Sequence, residues 1–179
     1  MNTYMPYKLF IFSIVLLFAD IALAESEIGY RLGAGDKVSV RVYGESDLSI
    51  SLLLDESGVI NYPFLGEIKV FGLTPAELEE VIVSGLKGDY LVNPNVAVSV
   101  VEYRPIYIYG EVRSPGSYSY QPGLTVAKAA ALAQGLTERA SENRVYLIRE
   151  NEGEESREKI DMSTKLYPGD TVTIEQGFF

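Results

Sequence analysis

The sequence contains no cysteine and no histidine among its 179 residues. The absence of both residue types excludes Ser-His and Cys-His nucleophile systems and removes the usual ligands of a zinc site. Without cysteine the chain forms no disulfide, so the fold depends on packing and hydrogen bonds. A leader peptide of this chain also cannot end at a lipidated cysteine. We therefore expect no cofactor, no metal and no lipoprotein anchor.

Positive charge is scarce: 15 Lys and Arg stand against 25 Asp and Glu, which gives a formal net charge of −10. This balance argues against binding to nucleic acid or anionic lipid, because their phosphates repel an acidic surface. With so many carboxylates, two that are close in sequence are weak evidence for acid–base catalysis. We expect most of them on the solvated surface and predict that the chain is not an enzyme.

Long apolar runs are absent except near the start of the chain. Lys8 precedes an apolar stretch over residues 9–18, and the small-residue pattern Ala-Leu-Ala follows at 22–24. This order predicts a secretory signal peptide over residues 1–24, cleaved after Ala24. An uncleaved anchor is the weaker alternative, because the run is shorter than the roughly 20 residues that span a bilayer.

Local patterns predict a first α/β unit that ends near Tyr103. Residues 37–42, KVSVRV, alternate as a strand does, and turn residues follow at 55–58. Thr74 and Glu77 are spaced as a capping box at the start of a helix. The apolar residues spaced to form the buried face of that helix are Leu78, Val81, Ile82 and Leu86.

A second unit is predicted to begin at Arg104-Pro105, because proline restrains the chain and the pattern restarts beyond it. Two alternating segments flank Ser114, Pro115 and Gly116, and this arrangement predicts a hairpin.

An alanine-rich helix is predicted after this hairpin, with Thr125 as its cap and Gly135 as its stop signal. The remaining elements are predicted as a strand at 144–149, a solvated acidic loop at 150–159, a short return strand and a last strand. This order of hairpin, helix and strands is similar to a ubiquitin-like β-grasp.

One pattern occurs twice, as LGAGDKVSV at residues 32–40 and as LYPGDTVTI at residues 166–174. The pairs Gly35-Asp36 and Gly169-Asp170 are typical of tight turns, because glycine accepts positive φ and aspartate bonds its own backbone. Chance recurrence of turn residues is one alternative, and a carboxylate pair that cleaves a glycan is another. We favour a structural role for both aspartates.

The segment from residue 32 to residue 103 closely resembles the export domain of Wza-like outer-membrane polysaccharide export proteins. The family pattern is D-x-x-G-x-I-x-x-P-x-L-G-x-(V/I)-x-V-x-G-x-T-x-x-E-L. The matching residues are Asp55, Gly58, Ile60, Pro63, Leu65, Gly66, Ile68, Val70, Gly72, Thr74, Glu77 and Leu78. By this resemblance Gly58, Pro63 and Gly66 are structural turn residues.

The rest of the chain is similar to the SLBB domain, a β-grasp module that follows the export domain in these proteins. Family members often carry Gly-Gly where this chain has Gln134-Gly135. The resemblance implies an α/β (α+β) fold with a small export domain of strands and one packed helix at 25–103 and an SLBB domain at 104–179. It also implies that both Gly-Asp turns are scaffold elements leading into strands.

Longer Wza-like members carry an acylated N-terminal cysteine, further SLBB modules and a C-terminal amphipathic helix, which together build an outer-membrane pore. This sequence has no cysteine and one SLBB-like unit, and it ends at TIEQGFF. The resemblance therefore implies a short periplasmic member, associated with the outer membrane, that lines no membrane channel by itself. Its implied partners are further copies of itself in a ring, an inner-membrane co-polymerase, a separate outer-membrane β-barrel and the polysaccharide in transit.

Tyrosines on the predicted hairpin are candidate contacts for a glycan or for a neighbouring subunit. Tyr107 and Tyr109 are spaced i, i+2, as are Tyr118 and Tyr120, so each pair faces one side of its strand. A turn around residues 113–114 would place Tyr109 opposite Tyr118 and Tyr107 opposite Tyr120, as a ladder of phenol rings. The alternative is that these rings cover a half-buried sheet.

Arg104 and Arg113 are weaker candidates for binding an acidic sugar. We favour a position on the solvated surface or in a subunit contact for each of them. Phe178-Phe179 is similar to the aromatic end of outer-membrane barrels, but a packed strand end or an interface patch is the better interpretation. We expect a non-enzymatic, ring-forming conduit subunit for polysaccharide. The rival hypotheses are a monomeric carbohydrate-binding module and a polysaccharide-modifying enzyme that works through carboxylates.

Overall fold

The computed structural model describes residues 29–151 and 154–177. The predicted signal peptide and Phe178-Phe179 lie outside these residues. The described chain contains ten strands and two α-helices, arranged around two hydrophobic cores, and this confirms the predicted mixed α/β class. Within the described residues, no helix is long and apolar enough to cross a membrane.

The first core lies among the elements that precede residue 103. These are β1 (Lys37–Val42), β2 (Ile50–Leu53), β3 (Val59–Tyr62), β4 (Gly66–Lys69), α1 (Pro75–Leu86) and β5 (Val96–Glu102), with a short 3-10 turn at Ser46–Leu48. Strand β1 lies between β2 and β5 and is antiparallel to both, while β3 and β4 form a separate hairpin. Alternation in β1 directs Val38, Val40 and Val42 into the core.

Helix α1 begins at the predicted capping box. The Thr74 hydroxyl accepts the Glu77 N–H at 3.1 Å, and the Glu77 carboxylate accepts the Thr74 N–H at 2.7 Å. Three of the four predicted core residues of α1 are buried, namely Leu78, Ile82 and Leu86. The prediction for Val81 is wrong, since its side chain is 42% exposed. The i, i+4 spacing of the buried residues turns the apolar stripe away from position 81.

The second core lies between one helix and a five-stranded sheet. The elements are β6 (Ile106–Gly110), β7 (Gly116–Tyr118), α2 (Val126–Leu132), β8 (Ala140–Asn151), β9 (Glu154–Ile160) and β10 (Thr171–Gln176). The strand order is β7-β6-β10-β8-β9, with β10 parallel to β6 and antiparallel to β8. Helix α2 buries the small residues Ala129 and Ala130 in this core. It is capped by Thr125 and ends before Gly135, as predicted.

Residues 154–159 of the acidic segment lie in strand β9 and do not form the predicted loop. Strands β8 and β9 form a long antiparallel hairpin in which Tyr146 pairs with Lys159 and Ile148 pairs with Arg157. The sequence-based interpretation gave too much weight to charge. Strand β9 is at the edge of the sheet, where charged side chains are common because they discourage pairing with another chain.

Candidate functional site

The predicted tyrosine ladder is absent, because the β6–β7 hairpin has a different register. Tyr118 lies opposite Ile106, and Tyr107 lies opposite Ser117. The observed pairing differs from the predicted one by an odd number of residues, and an odd shift exchanges the faces of one strand relative to the other. Tyr118 therefore lies on the same face as the buried Ile106, opposite to the face of Tyr107 and Tyr109. The connection between the two strands covers residues 111–115 and is longer than the assumed turn at 113–114.

Tyr118 and Tyr120 are engaged in packing inside the protein. Both are half-buried against the second core. The Tyr118 hydroxyl donates to the Ser114 carbonyl at 2.5 Å. The Tyr120 ring packs edge-to-face with Tyr103, with centroids 5.3 Å apart. Their predicted contact with a glycan or a second subunit therefore has no exposed ladder to support it.

Tyr107 and Tyr109 lie on the face of the second sheet that is turned away from α2, and they are 38% and 48% exposed. Pairing across the strands places two rows of side chains on this face. The first row is Tyr109, Thr173, Tyr146 and Lys159, and the second is Tyr107, Thr171, Ile148 and Arg157. We call these residues, together with Arg144 and Glu175, the open face.

Cations and an aromatic ring are held in fixed positions on the open face. The Arg157 guanidinium lies 4.3 Å from the centroid of the Tyr146 ring and 2.8 Å from the Glu175 carboxylate. Arg144 forms a second ion pair with Glu175. Sequence reasoning did not single out Tyr146, Arg157 and Glu175: Tyr146 lies in the strand predicted at 144–149, whereas Arg157 lies in the stretch predicted as a loop. An open depression of about 390 Å³ at the end of this face is lined by Gly110, Glu111, Arg144, Thr173, Ile174, Glu175 and Gln176.

The two copies of the repeated pattern form the same hydrogen bonds. The Asp36 carboxylate accepts the N–H of Gly33 at 2.8 Å, and the Asp170 carboxylate accepts the N–H of Tyr167 at 2.7 Å. Both aspartates are buried, and each is paired with an arginine. Arg149 binds Asp170 through two bonds of 2.8 and 2.7 Å, and its pKa is raised by them. Carboxylates held in this way stabilise turns and are not free to act on a glycan.

Arg104 lies between the two turns and contacts both. Its Nη1 donates to Asp36 at 3.1 Å and to the Tyr30 hydroxyl at 3.0 Å, while its Nε donates to the Pro168 carbonyl at 3.1 Å. A Cβ added at Gly33 or Gly169 would lie 2.3 or 2.8 Å from the Arg104 side chain, so both glycines make room for it. Arg104 is thus engaged in contacts inside the protein, and these contacts use the donors that the weaker hypothesis assigned to an acidic sugar.

Aromatic rings continue this contact between the two cores. Tyr30 packs edge-to-face on Tyr103 at 4.9 Å, and Tyr103 packs on Tyr120. The Tyr30 hydroxyl donates to Asp36 at 2.5 Å. Burial, and then this hydrogen bond, raise the pKa of Tyr30 well above its usual value. We call the set formed by Tyr30, Asp36, Tyr103, Arg104, Tyr120 and Pro168 the junction.

The other predicted turn residues lie at strand connections. Gly58 has φ +68°, and a Cβ there would be 2.6 Å from the Phe71 ring. Pro63 lies in the β3–β4 turn and Gly66 is the first residue of β4, while Pro115 precedes Gly116 at the start of β7.

Two further exposed features lie outside these turns. The side chain of Arg113 is exposed in the β6–β7 connection. Sequence reasoning missed an exposed stack of Phe64 on Tyr90, with centroids 5.0 Å apart. Within residues 29–151 and 154–177, no group of acidic side chains is placed to hold a metal ion.

Comparison with known families identifies two modules in tandem. Residues 24–101 match the family described as polysaccharide biosynthesis/export protein, and residues 105–161 match the SLBB domain. The first match contains Asp36 and the capping box, and the second contains the hairpin and α2. The two matches meet next to Arg104 of the junction.

The names of similar curated proteins refer to the production, transport or export of polysaccharide. The chain is 37% identical to an exopolysaccharide production protein, ExoF of Rhizobium meliloti, over 66% of this chain and 30% of that protein. It is 35% identical to the polysialic acid transport protein KpsD of Escherichia coli over 50% of this chain and 16% of that protein. It is 29% identical to the EPS I polysaccharide export outer membrane protein EpsA of Ralstonia nicotianae over 67% of this chain and 38% of that protein.

The chain thus spans less than two fifths of the length of each of these relatives. Its two matched modules follow one another with a gap of three residues. The chain belongs to the polysaccharide biosynthesis/export protein family and carries one SLBB domain.

Proposed function

We propose that this protein is a periplasmic subunit of a capsule or exopolysaccharide export machine, and that copies of it assemble into a ring. The ring would connect an inner-membrane co-polymerase to a separate outer-membrane β-barrel. The tandem match to an export module and an SLBB module carries this proposal. The names of the relatives, which refer to production, transport and export of polysaccharide, support it.

We also propose that the chain is divided into three segments. We place the signal peptide at residues 1–24, the export domain at 25–103 and the SLBB domain at 104–179. The separation into two hydrophobic cores, one formed by residues 32–96 and the other by residues 106–174, supports the boundary. Export through the signal peptide would deliver the chain to the periplasm, where the outer membrane is within reach.

The mechanism would be geometric. A ring of subunits continues a conduit, so a long hydrophilic polymer crosses the periplasm while no bond is made or broken. The excess of carboxylates suits passage of an anionic polymer, because like charges reduce adhesion to the wall. If the wall carries these carboxylates, replacing exposed ones by amides should slow export of an anionic polymer, and unchanged export would argue against an acidic lining.

The experiment that tests the function is deletion of the gene in its source organism, followed by separate measurement of cell-surface and retained polysaccharide. Loss from the surface, with recovery when the full-length gene is returned, is the expected result. A normal surface amount of polymer with altered length or decoration would contradict an export role.

A monomeric carbohydrate-binding module is the second candidate, because Tyr107 and Tyr109 are exposed on one face of a sheet. It predicts measurable affinity of the purified monomer for oligosaccharides of the exported polymer, by calorimetry. The ring proposal predicts assembly of the purified protein instead.

A further inference from the structure

We infer that the open face of the second sheet binds the first unit of another copy of this chain, and that this contact joins neighbouring subunits. The inference rests on the proposed ring and names the surface that would build it. The two faces of the second sheet differ in their exposure to solvent. Ile106, Ile108 and Val172 are fully buried beneath α2 on one face, whereas Tyr107 and Tyr109 are exposed on the other.

The side chains on the open face are those that protein interfaces favour. Tyrosine and arginine are enriched at the centres of interfaces and dominate their energetic hot spots. Tyr109 and Tyr146 stand in one row, two strands apart, which corresponds to about 10 Å. Thr173 lies between these two tyrosines and Thr171 lies between Tyr107 and Ile148, so the surface also has hydrogen-bonding groups without bulk.

Two contacts restrain a cation of this surface within the subunit. The Arg157 guanidinium lies 4.3 Å from the centroid of the Tyr146 ring and 2.8 Å from the Glu175 carboxylate, while its side chain is 55% exposed. Immobilising a long side chain is one of the costs of association, and these contacts reduce that cost for Arg157. The open depression next to Glu175 provides a recess into which a partner side chain can fit.

Charge indicates which surface the open face meets. The open face carries three cations, Arg144, Arg157 and Lys159, against one carboxylate, Glu175, which is paired with both arginines. The first unit is strongly acidic: residues 25–103 contain 13 Asp and Glu against 5 Lys and Arg. Residues 104–179 are nearly balanced, with 11 against 9. An acidic first unit is therefore the complementary surface that each copy presents to the cationic rows of the next.

This pairing of unlike surfaces suits a ring. A contact between the second unit of one copy and the first unit of the next is heterologous, and heterologous contacts close into rings when the rotation between subunits allows it. A contact of the open face with itself would give a two-fold dimer and would set like charges against each other.

The test uses the purified full-length product after export, with assembly measured by mass photometry over a range of concentrations. We expect Tyr109→Ala and Arg157→Glu each to raise the dissociation constant of assembly at least tenfold. Lys128→Glu is the matched control, because it reverses the charge of an exposed cation in the same unit, on helix α2 and away from the open face, and it should leave assembly unchanged. Raising the salt concentration should weaken assembly of the wild-type protein.

A cross-linking experiment identifies the partner surface directly. Since the chain has no cysteine, Tyr109→Cys provides a single attachment point for a photoreactive group. We expect the cross-linked peptide to come from residues 29–103 of another copy. Circular dichroism of each variant shows whether it retains the wild-type fold, and Tyr109→Phe should retain assembly.

Three outcomes would overturn the inference. They are a monomeric wild-type protein, a cross-link confined to the second unit, and unchanged assembly of a folded Arg157→Glu variant. Weaker binding of polymer fragments to Arg157→Glu with unchanged assembly would assign the face to a glycan instead. The gene-deletion experiment separates this inference from the proposed function, because export can depend on the protein even if its subunits meet through another surface.

Discussion

Replacing Arg104 by alanine should lower the free energy of unfolding, because it removes the contacts that Arg104 makes in the junction. In Arg104→Ala the carboxylate of Asp36, which is 0% exposed, loses its cation. Removing one partner of a buried ion pair costs about 3–5 kcal/mol. Water screens part of this interaction, because the Arg104 side chain is 29% exposed.

The donors that remain reduce the cost further. Asp36 keeps hydrogen bonds from the Tyr30 hydroxyl, from the N–H of Gly33 and from the main-chain N–H of residue 104. We therefore expect Arg104→Ala to lower the free energy of unfolding by about 2–3 kcal/mol.

Arg149→Ala is the matched comparison, because it removes the corresponding arginine of the second turn. Asp170 then keeps one donor among the described contacts, the N–H of Tyr167. The bidentate geometry of Arg149 is also lost. We expect a larger loss of about 3–5 kcal/mol, with Arg149→Lys recovering part of it as a cation without the planar fork.

The two variants should also differ in how the protein unfolds. Arg104 joins the turn of the first core to the turn of the second, whereas Arg149 belongs to the second core alone. We expect Arg104→Ala to separate urea unfolding into two transitions, monitored by circular dichroism and tyrosine fluorescence. A single unchanged transition, a loss below about 1 kcal/mol, or equal losses in the two variants would refute this account of the junction.

Three further predictions concern single positions. The raised pKa of Tyr30 stabilises the fold below the usual tyrosine pKa of about 10, and this contribution is lost as pH rises through the folded-state pKa. Between the usual and the raised pKa, the free energy of unfolding should fall with pH more steeply than in Tyr30→Phe, by about 1.4 kcal/mol per pH unit. Urea unfolding at a series of pH values measures this slope, and parallel curves for the two proteins would contradict the prediction. Thr74→Ala should cost about 1 kcal/mol in the same assay by removing the acceptor for the Glu77 N–H, and a neutral change would show that water caps α1 equally well. Gly110→Ala should cost more than about 2 kcal/mol, because φ is +86° and the new Cβ would lie 2.0 Å from the Ile174 carbonyl oxygen; a variant with wild-type stability would show that β6 relaxes there.

The elements that were predicted correctly from the sequence are specified by residues close to one another in the chain. The capping box at Thr74, the alternation of residues 37–42 and the stop at Gly135 each act within a few residues, so they can be read from the chain directly. The family resemblance depends on similar turn residues, and the family match over residues 24–101 agrees with it.

The failed predictions depended on pairing between distant segments. The acidic stretch at 150–159 was taken for a loop because its composition is polar, yet pairing with β8 makes residues 154–159 part of an edge strand. The ladder of Tyr107, Tyr109, Tyr118 and Tyr120 failed because a turn of unknown length sets the register, and an odd displacement exchanges the faces.

The sequence by itself determined the class of the fold, the two copies of the Gly-Asp turn and the absence of histidine and cysteine chemistry. Only the tertiary structure decided what those turns hold. Arg104 is 68 residues from Asp36 and 64 from Pro168, and no local pattern specifies that it lies between them. The same is true of the open face, because strand pairing brings Tyr109 into one row with Tyr146. Such contacts follow from chain topology, which arises when both cores pack and is not encoded in any single segment.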